Sequence, residues 1–216
     1  MLSLSSKRSI MKPIKIISLL ILLIALNNLF GQNFHGGVMA GLVGSQVAGD
    51  TYSGFDKAGI YAGGFVGWDF TKRSALQLEL TYFQKGSRKN PDPENNDYES
   101  YLFRTNYVEL PVLYQLKFDW FYLEAGPSVG VLFGYFEKYN EEEISDIGNY
   151  NKPARFTLQT NIGFRFKFRE KFGFSFRYNF SLLNIRSRNV TGDVWRLWGY
   201  GQFHDALVLS FFYQIR

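Results

Sequence analysis

The chain is 216 residues long, 46% hydrophobic, 20% charged and 19% aromatic, and it contains no cysteine. A disulfide scaffold, a zinc-thiolate site and a lipoprotein anchored through cysteine are excluded. With 22 Phe, 14 Tyr, 4 Trp and 21 Gly and a formal net charge of +5, the composition favours one compact unit of strands and turns over a disordered chain.

The first segment is an address rather than structure. Lys7, Arg8, Lys12 and Lys15 precede an apolar run from Ile16 to Leu26, and a polar, small-residue stretch ends at Leu29, Phe30 and Gly31. This order predicts a secretory signal peptide over residues 1–31, starting at Met1 or Met11, and a mature domain over 32–216. Its apolar core is too short to span a bilayer comfortably. Removing residues 1–31 takes away four positive charges and no negative ones, which leaves +1. The basic balance therefore belongs to export, and nucleic acid drops out as a partner.

From there the chain alternates with a period of two, which helical spacing cannot produce. Eight runs are predicted as strands: 34–48, 57–70, 74–87, 104–118, 121–135, 155–168, 172–183 and 202–216. In the sixth, Phe156, Leu158, Thr160, Ile162, Phe164, Phe166 and Phe168 oppose Arg155, Thr157, Gln159, Asn161, Gly163, Arg165 and Lys167. The seventh sets Phe172, Phe174, Phe176, Tyr178, Phe180 and Leu182 against Gly173, Ser175, Arg177, Asn179 and Ser181. Each run is long enough for a tilted strand to cross a membrane.

The connections alternate long and short, with short ones at 71–73, 119–120 and 169–171, so every short turn falls at one end. An even strand number puts both termini there as well, which is the arrangement of an outer-membrane barrel with periplasmic turns and termini. A soluble eight-stranded barrel of the lipocalin kind would invert the faces, apolar in and polar out. Two features favour the membrane form. Aromatics gather near the strand ends, with Trp68, Phe70, Phe118, Trp120, Phe168 and Phe172 at one and Tyr82, Phe133, Tyr135, Phe156 and Phe180 at the other, like two interfacial girdles. The other face carries Glu79, Glu109, Glu124, Lys85, Lys117, Arg165, Lys167 and Arg177, which suit a lumen and not lipid. The predicted fold is thus all-β, an up-and-down, eight-stranded antiparallel transmembrane β-barrel following a signal peptide.

The stretches K-A-G-I-Y-A-G-G-F (57–65), L-Q-L-E-L-T-Y-F-Q-K-G-S (76–87), N-Y-V-E-L-P-V-L-Y-Q-L-K (106–117) and Y-L-E-A-G-P-S-V-G-V-L (122–132) resemble the outer-membrane β-barrel family that includes PorT, typical of Bacteroidota. The resemblance covers nearly the whole mature chain and implies an outer-membrane location. Because PorT belongs to a type IX protein secretion and gliding apparatus, it also implies a link to secretion. One departure is the C-terminus, where Phe211, Phe212 and Tyr213 are followed by Gln214, Ile215 and Arg216, whereas such barrels often end on an aromatic residue.

An eight-stranded barrel has an interior that side chains can fill. Asp69, Glu79, Glu109 and Glu124 share it with Lys85, Lys117, Arg155, Arg165, Lys167 and Arg177, and buried charges persist when paired. A salt-bridged plug is expected, with Glu124 and Arg165 as one pair. Pro111 and Pro127 fall at one depth on the fourth and fifth strands if paired residue numbers sum to 239, and neither can donate to the ladder. A bulge is expected at that seam, as a bend or as a place where a partner packs.

Catalytic candidates are thin. Of the two histidines, His35 begins the first strand and His204 faces the lumen while Asp205 faces outward, so the latter two form no dyad. No H-E-x-x-H, P-loop or Rossmann signature occurs, so no metal, nucleotide or redox cofactor is expected, and the sequence identifies no small-molecule substrate. The loops 88–103 and 136–154 are acidic. The loop 184–201 instead holds Arg186, Arg188 and Arg196 with Trp195 and Trp198, a combination enriched at binding hot spots. The function expected is a non-enzymatic outer-membrane barrel, a structural or accessory subunit of an envelope complex for secretion or assembly. Its partners would be membrane lipid and envelope proteins. The alternatives are a lipid-modifying enzyme and a narrow channel or surface adhesin.

Overall fold

The computed structural model describes residues 34–52, 54–145, 152–186, 194–197 and 199–215. The expected signal peptide, Arg188 and Trp198 lie outside these residues. Eight long strands run in chain order: β1 (Phe34–Ala48), β2 (Lys57–Asp69), β3 (Ser74–Lys89), β4 (Tyr101–Lys117), β5 (Phe121–Tyr139), β6 (Phe156–Lys167), β7 (Phe172–Ser181) and β8 (Phe203–Gln214). Each falls on its predicted run, and β3, β4 and β5 continue further at the long-loop end. Sequence neighbours pair antiparallel, and β1 pairs β8 from Gly37↔Gln214 to Ala48↔Phe203, which closes the barrel. Closure removes the unpaired edges that an open sheet would present.

Alternation decides the two faces. On β6, Thr157, Gln159, Asn161 and Arg165 are buried, while Phe156 is 69% exposed and Ile162 is exposed. Leu76, Leu78 and Leu80 of β3 and Leu209, Phe211 and Tyr213 of β8 likewise face outward. An apolar belt on the outside and polar groups within match a barrel whose solvent is lipid. Trp68, Phe70, Phe118, Trp120, Phe168 and Phe172 are all exposed at the short-turn end.

The interior is not polar throughout. Met39, Val43, Tyr61, Phe65, Phe83, Ala206, Val208 and Phe212 form an apolar cluster inside β1, β2, β3 and β8.

The β4–β5 seam differs from expectation. Pairing runs from Tyr107↔Leu132 to Pro111↔Ser128 and resumes at Tyr114↔Ala125 in the same register, so Val112 and Leu113 are skipped without a bulge. Beside Pro111, the β3–β4 ladder also skips, from Leu78↔Val112 to Thr81↔Glu109. A one-residue slip would turn either Glu109 or Leu113, both buried, toward lipid, so the ladder opens at the prolines instead of shifting.

The bulge sits higher. Asn106 pairs Gly134 and Tyr107 pairs Leu132, leaving Phe133 as the extra residue. Phe133 is 63% exposed, and beyond it the facing inverts. Tyr135, expected in the outer girdle, turns inward to pack on Val47, Phe103 and Ile185, and Glu137 becomes buried.

Candidate functional site

In the barrel interior charges converge from many strands. Arg177 of β7 lies at its centre, 2% exposed. Its Nη1 and Nη2 donate to Glu79 Oε2 and Oε1 of β3 at 2.9 and 3.0 Å. Its Nε and Nη2 donate to Glu124 Oε1 of β5 at 3.0 and 2.7 Å. Nη1 also donates to Tyr61 Oη of β2 at 2.9 Å. Tyr61 Oη in turn donates to Glu79 Oε2 at 2.9 Å, and Gln115 Nε2 donates to Glu124 Oε2 at 3.1 Å.

Register explains the reach. Gly163 of β6 stands opposite Glu124 on one side and Arg177 on the other. With no side chain between them, the guanidinium spans a whole strand to the carboxylate. A Cβ at Gly163 would lie 2.4 Å from Phe176 O and 2.9 Å from Arg177 Cα, so the position excludes any larger residue.

A second layer lies toward the long loops. Lys85 Nζ is 2.6 Å from Glu109 Oε1, both fully buried, and donates to Asn179 Oδ1 at 2.7 Å. Asn179 Nδ2 donates to Asn161 Oδ1 at 2.9 Å, and Asn161 Nδ2 to Ser128 Oγ at 3.1 Å. Above these, Arg186 is ion-paired to Glu137, which also accepts from Tyr101 Oη at 2.5 Å. The apolar group Val47, Phe103 and Ile185 closes the mouth around that pair.

The other expected interior residues distribute differently. Arg165 pairs with neither carboxylate: Nη1 donates to Gln77 Oε1 at 2.6 Å, and the guanidinium lies over the rings of Phe212 and Phe65 at 4.1 and 4.7 Å. The expected Glu124–Arg165 pair is therefore replaced by Glu124–Arg177, because Arg177 reaches across Gly163 while Arg165 stands opposite Tyr122. Lys117 and Lys167 lie at the half-buried short-turn rim, where Lys117 Nζ meets Asp69 Oδ1 at 2.5 Å. Arg155 precedes β6 and is exposed.

The candidate binding loop is split. Arg186 is inside the mouth, whereas Arg196 lies on the outer wall, where Nη1 and Nη2 donate to Asp205 Oδ1 and Oδ2 at 2.9 and 2.6 Å. Trp195 is exposed. Arg196 and Trp195 ride on a small hairpin, Val194–Arg196 paired with Gly199–Gly201.

Residues that sequence reasoning missed include Tyr61, Gln77 and Gln115. All three lie on the same alternation face as the acids they serve, which was the available signal.

Catalytic geometry is sparse. His204 is fully buried, with Nε2 3.2 Å from Thr105 Oγ1 and its ring stacked on Phe103. Asp205 points to the other face. His35 Nδ1 is 3.5 Å from Asp69 Oδ1. Among the described residues no group of three His, Asp or Glu side chains is placed to hold a metal ion. In the loops, burial raises the Asp50 carboxyl above its ordinary range, and the hydrogen bond from Lys89 lowers that of Asp97.

The sequence profile of a family described as outer membrane protein beta-barrel domain matches residues 29–187. The chain belongs to this family. Among solved structures, Neisserial surface protein A is similar with a TM-score of 0.52 at 9% identity, over 82% of this chain and 96% of that one. Ail, the attachment invasion locus protein of Yersinia pestis, gives 0.46 at 11% identity over 85% and 99%. OprG from Pseudomonas aeruginosa gives 0.37 at 11% identity over 85% and 94%. At such identity the likeness to the Neisserial protein is one of fold. No curated protein sequence matches the chain. Family membership puts this barrel in the Gram-negative outer membrane.

Proposed function

We propose that this outer-membrane barrel is sealed and non-enzymatic, with both termini in the periplasm, and serves as a structural or accessory subunit of an envelope complex for secretion or assembly. The observation that carries the reading is the Arg177 cross-link, which ties β2, β3, β5 and β7 together through the lumen. An interior filled by paired charges and an apolar cluster leaves transport without a path. His204 is buried and separated from Asp205 by the wall itself, and the His35–Asp69 pair sits at the short-turn rim, on the periplasmic side in this reading and away from the outer leaflet.

What remains for function is the surface at the long-loop end. Glu141, Glu142 and Glu143 are exposed there, as is Trp195 on its hairpin. The resemblance of residues 57–132 to the PorT-containing family supports a role beside a secretion machine. Affinity purification of the tagged protein from detergent-solubilised membranes tests this. Stable co-purifying envelope proteins, lost on changing Trp195 to Ala or on shortening the 184–201 loop, are expected. A barrel that purifies alone, with altered lipid products in a deletion strain, would refute it in favour of an enzyme.

A further inference from the structure

Two arginines lie on the outside of the wall, just loopward of the outer aromatic girdle, and the Lys57 side chain at the start of β2 reaches to Gln84 beside them. Arg104 of β4 stands opposite Gly86 of β3, and Arg88 of β3 stands opposite Leu102, so the two arginines are diagonal neighbours on one face. Gly86 adds no side chain between them. Lys57, the first residue of β2, is 4% exposed, and its Nζ lies 3.4 Å from Gln84 Oε1. Gln84 Nε2 in turn donates to Asn106 Oδ1 at 3.2 Å, two residues from Arg104 on β4.

None of the three has a carboxylate within ion-pair distance among the described residues. Elsewhere Lys85, Lys89, Lys117, Lys138, Arg177, Arg186 and Arg196 each have one, and the lumen's Arg165 is instead held by Gln77 and two phenylalanine rings. Lys57 is buried, Arg104 half-buried and Arg88 exposed, and positive charge at a membrane-facing wall is costly without an anion. An anion from outside the chain is the partner this arrangement suits.

Height identifies the source. Asn106 Oδ1 accepts from Tyr82 Oη at 2.9 Å, and the Tyr82 ring packs at a tilt against Phe133 in the outer girdle. Arg104 is two residues beyond Asn106, about 7 Å along the strand, which is where the aromatic girdle gives way to the headgroup layer. The Arg104 guanidinium is held to the wall over the Phe136 ring, 5.2 Å from its centroid. Three cations spread over three strands, about 10 Å across, exceed what one phosphodiester neutralises.

We propose that Lys57, Arg88 and Arg104 form a binding site for the phosphate groups of a bisphosphorylated glycolipid of the outer leaflet. The proposal rests on the long loops facing outside, as in the function proposed above. Arg88 and Arg104 donate to phosphate oxygens with charge-assisted, two-pronged geometry. Lys57 lies behind them as a desolvated point charge, and the apolar belt below receives acyl chains.

The test uses the purified full-length barrel in micelles and native mass spectrometry. The probes are bisphosphorylated lipid A, the same lipid with both phosphates removed, and phosphatidylglycerol. Wild type should retain the bisphosphorylated lipid in preference to the other two. Arg88→Gln with Arg104→Gln should weaken retention about tenfold or more, while Arg169→Gln with Lys171→Gln at the opposite end should leave it unchanged. Folding of each variant is read from heat-modifiable gel mobility. Equal retention of the dephosphorylated lipid or of phosphatidylglycerol by wild type overturns the site whatever the variants do, and so does undiminished binding by a folded double glutamine variant. Protease cleavage of the 90–100 loop on whole cells reads orientation separately. A protected loop would overturn the orientation within the function proposal, and lipid discrimination by the purified barrel would still decide the site.

Discussion

Replacing Arg177 with methionine removes a guanidinium that donates five hydrogen bonds, two to Glu79, two to Glu124 and one to Tyr61. Glu79 keeps Tyr61 Oη at 2.9 Å and Gln77 Nε2 at 2.5 Å, but Glu124 keeps only Gln115 Nε2 at 3.1 Å. Two carboxylates, 1% and 2% exposed, are then left without their cation. Breaking a buried pair from one side costs about 3–5 kcal/mol, whereas removing every charge of the group is often neutral. Arg177→Met should therefore lose about 3–5 kcal/mol in urea unfolding from lipid vesicles. The triple variant Arg177→Met, Glu79→Gln, Glu124→Gln should recover most of that loss. A single variant within about 0.5 kcal/mol of wild type would refute the reasoning, as would a triple variant no more stable than the single one.

Gly163→Ala should cost about 1–3 kcal/mol in the same assay, since its Cβ meets backbone atoms of Phe176 and Arg177; an unchanged stability would contradict the strand-crossing reach of Arg177. Deleting Phe133 should remove the bulge and join Leu132 to Gly134 in regular alternation, leaving Tyr135 opposite Thr105 and Glu137 opposite Phe103 on the inner face, so the long-loop end should stay as resistant to limited proteolysis as in wild type. A deletion variant cleaved much faster at that end would count against the bulge assignment. Pro111→Val with Pro127→Val should close the skipped ladder positions and stabilise the barrel by about 1 kcal/mol, with the register unchanged. Destabilisation would mean that the opening is needed for closure.

All eight strands were legible because one face of each must meet lipid, as the strict alternation from Phe156 to Lys167 shows. The apolar half of the lumen was not, because β1 is apolar on both faces: Val38 and Leu42 are exposed while Met39 and Val43 are buried. Alternation assigned Glu79, Glu124 and Arg177 to one face, but the partner of Glu124 depended on a residue that is absent, the side chain of Gly163. Nearest-neighbour reasoning favoured Arg165 for the same reason. The bulge at Phe133 left a trace in the sequence, since unbroken alternation would have carried Glu137 onto the lipid face with Val131 and Phe133. The prolines marked a break in the ladder but not a bulge, because a missing N–H can be tolerated by opening the ladder where a slip would misplace Glu109. The loop 184–201 reads as one binding surface, yet Glu137 takes Arg186 into the mouth while Asp205 holds Arg196 on the outer wall.

Single-channel recording in planar bilayers tests the sealed interior most directly. Homogeneous, folded protein should show no stable open state across the usual voltage range, because the Arg177 and Lys85 layers and the Val47, Phe103 and Ile185 group fill the lumen. Steady, uniform conductance steps from the wild-type protein would contradict the account.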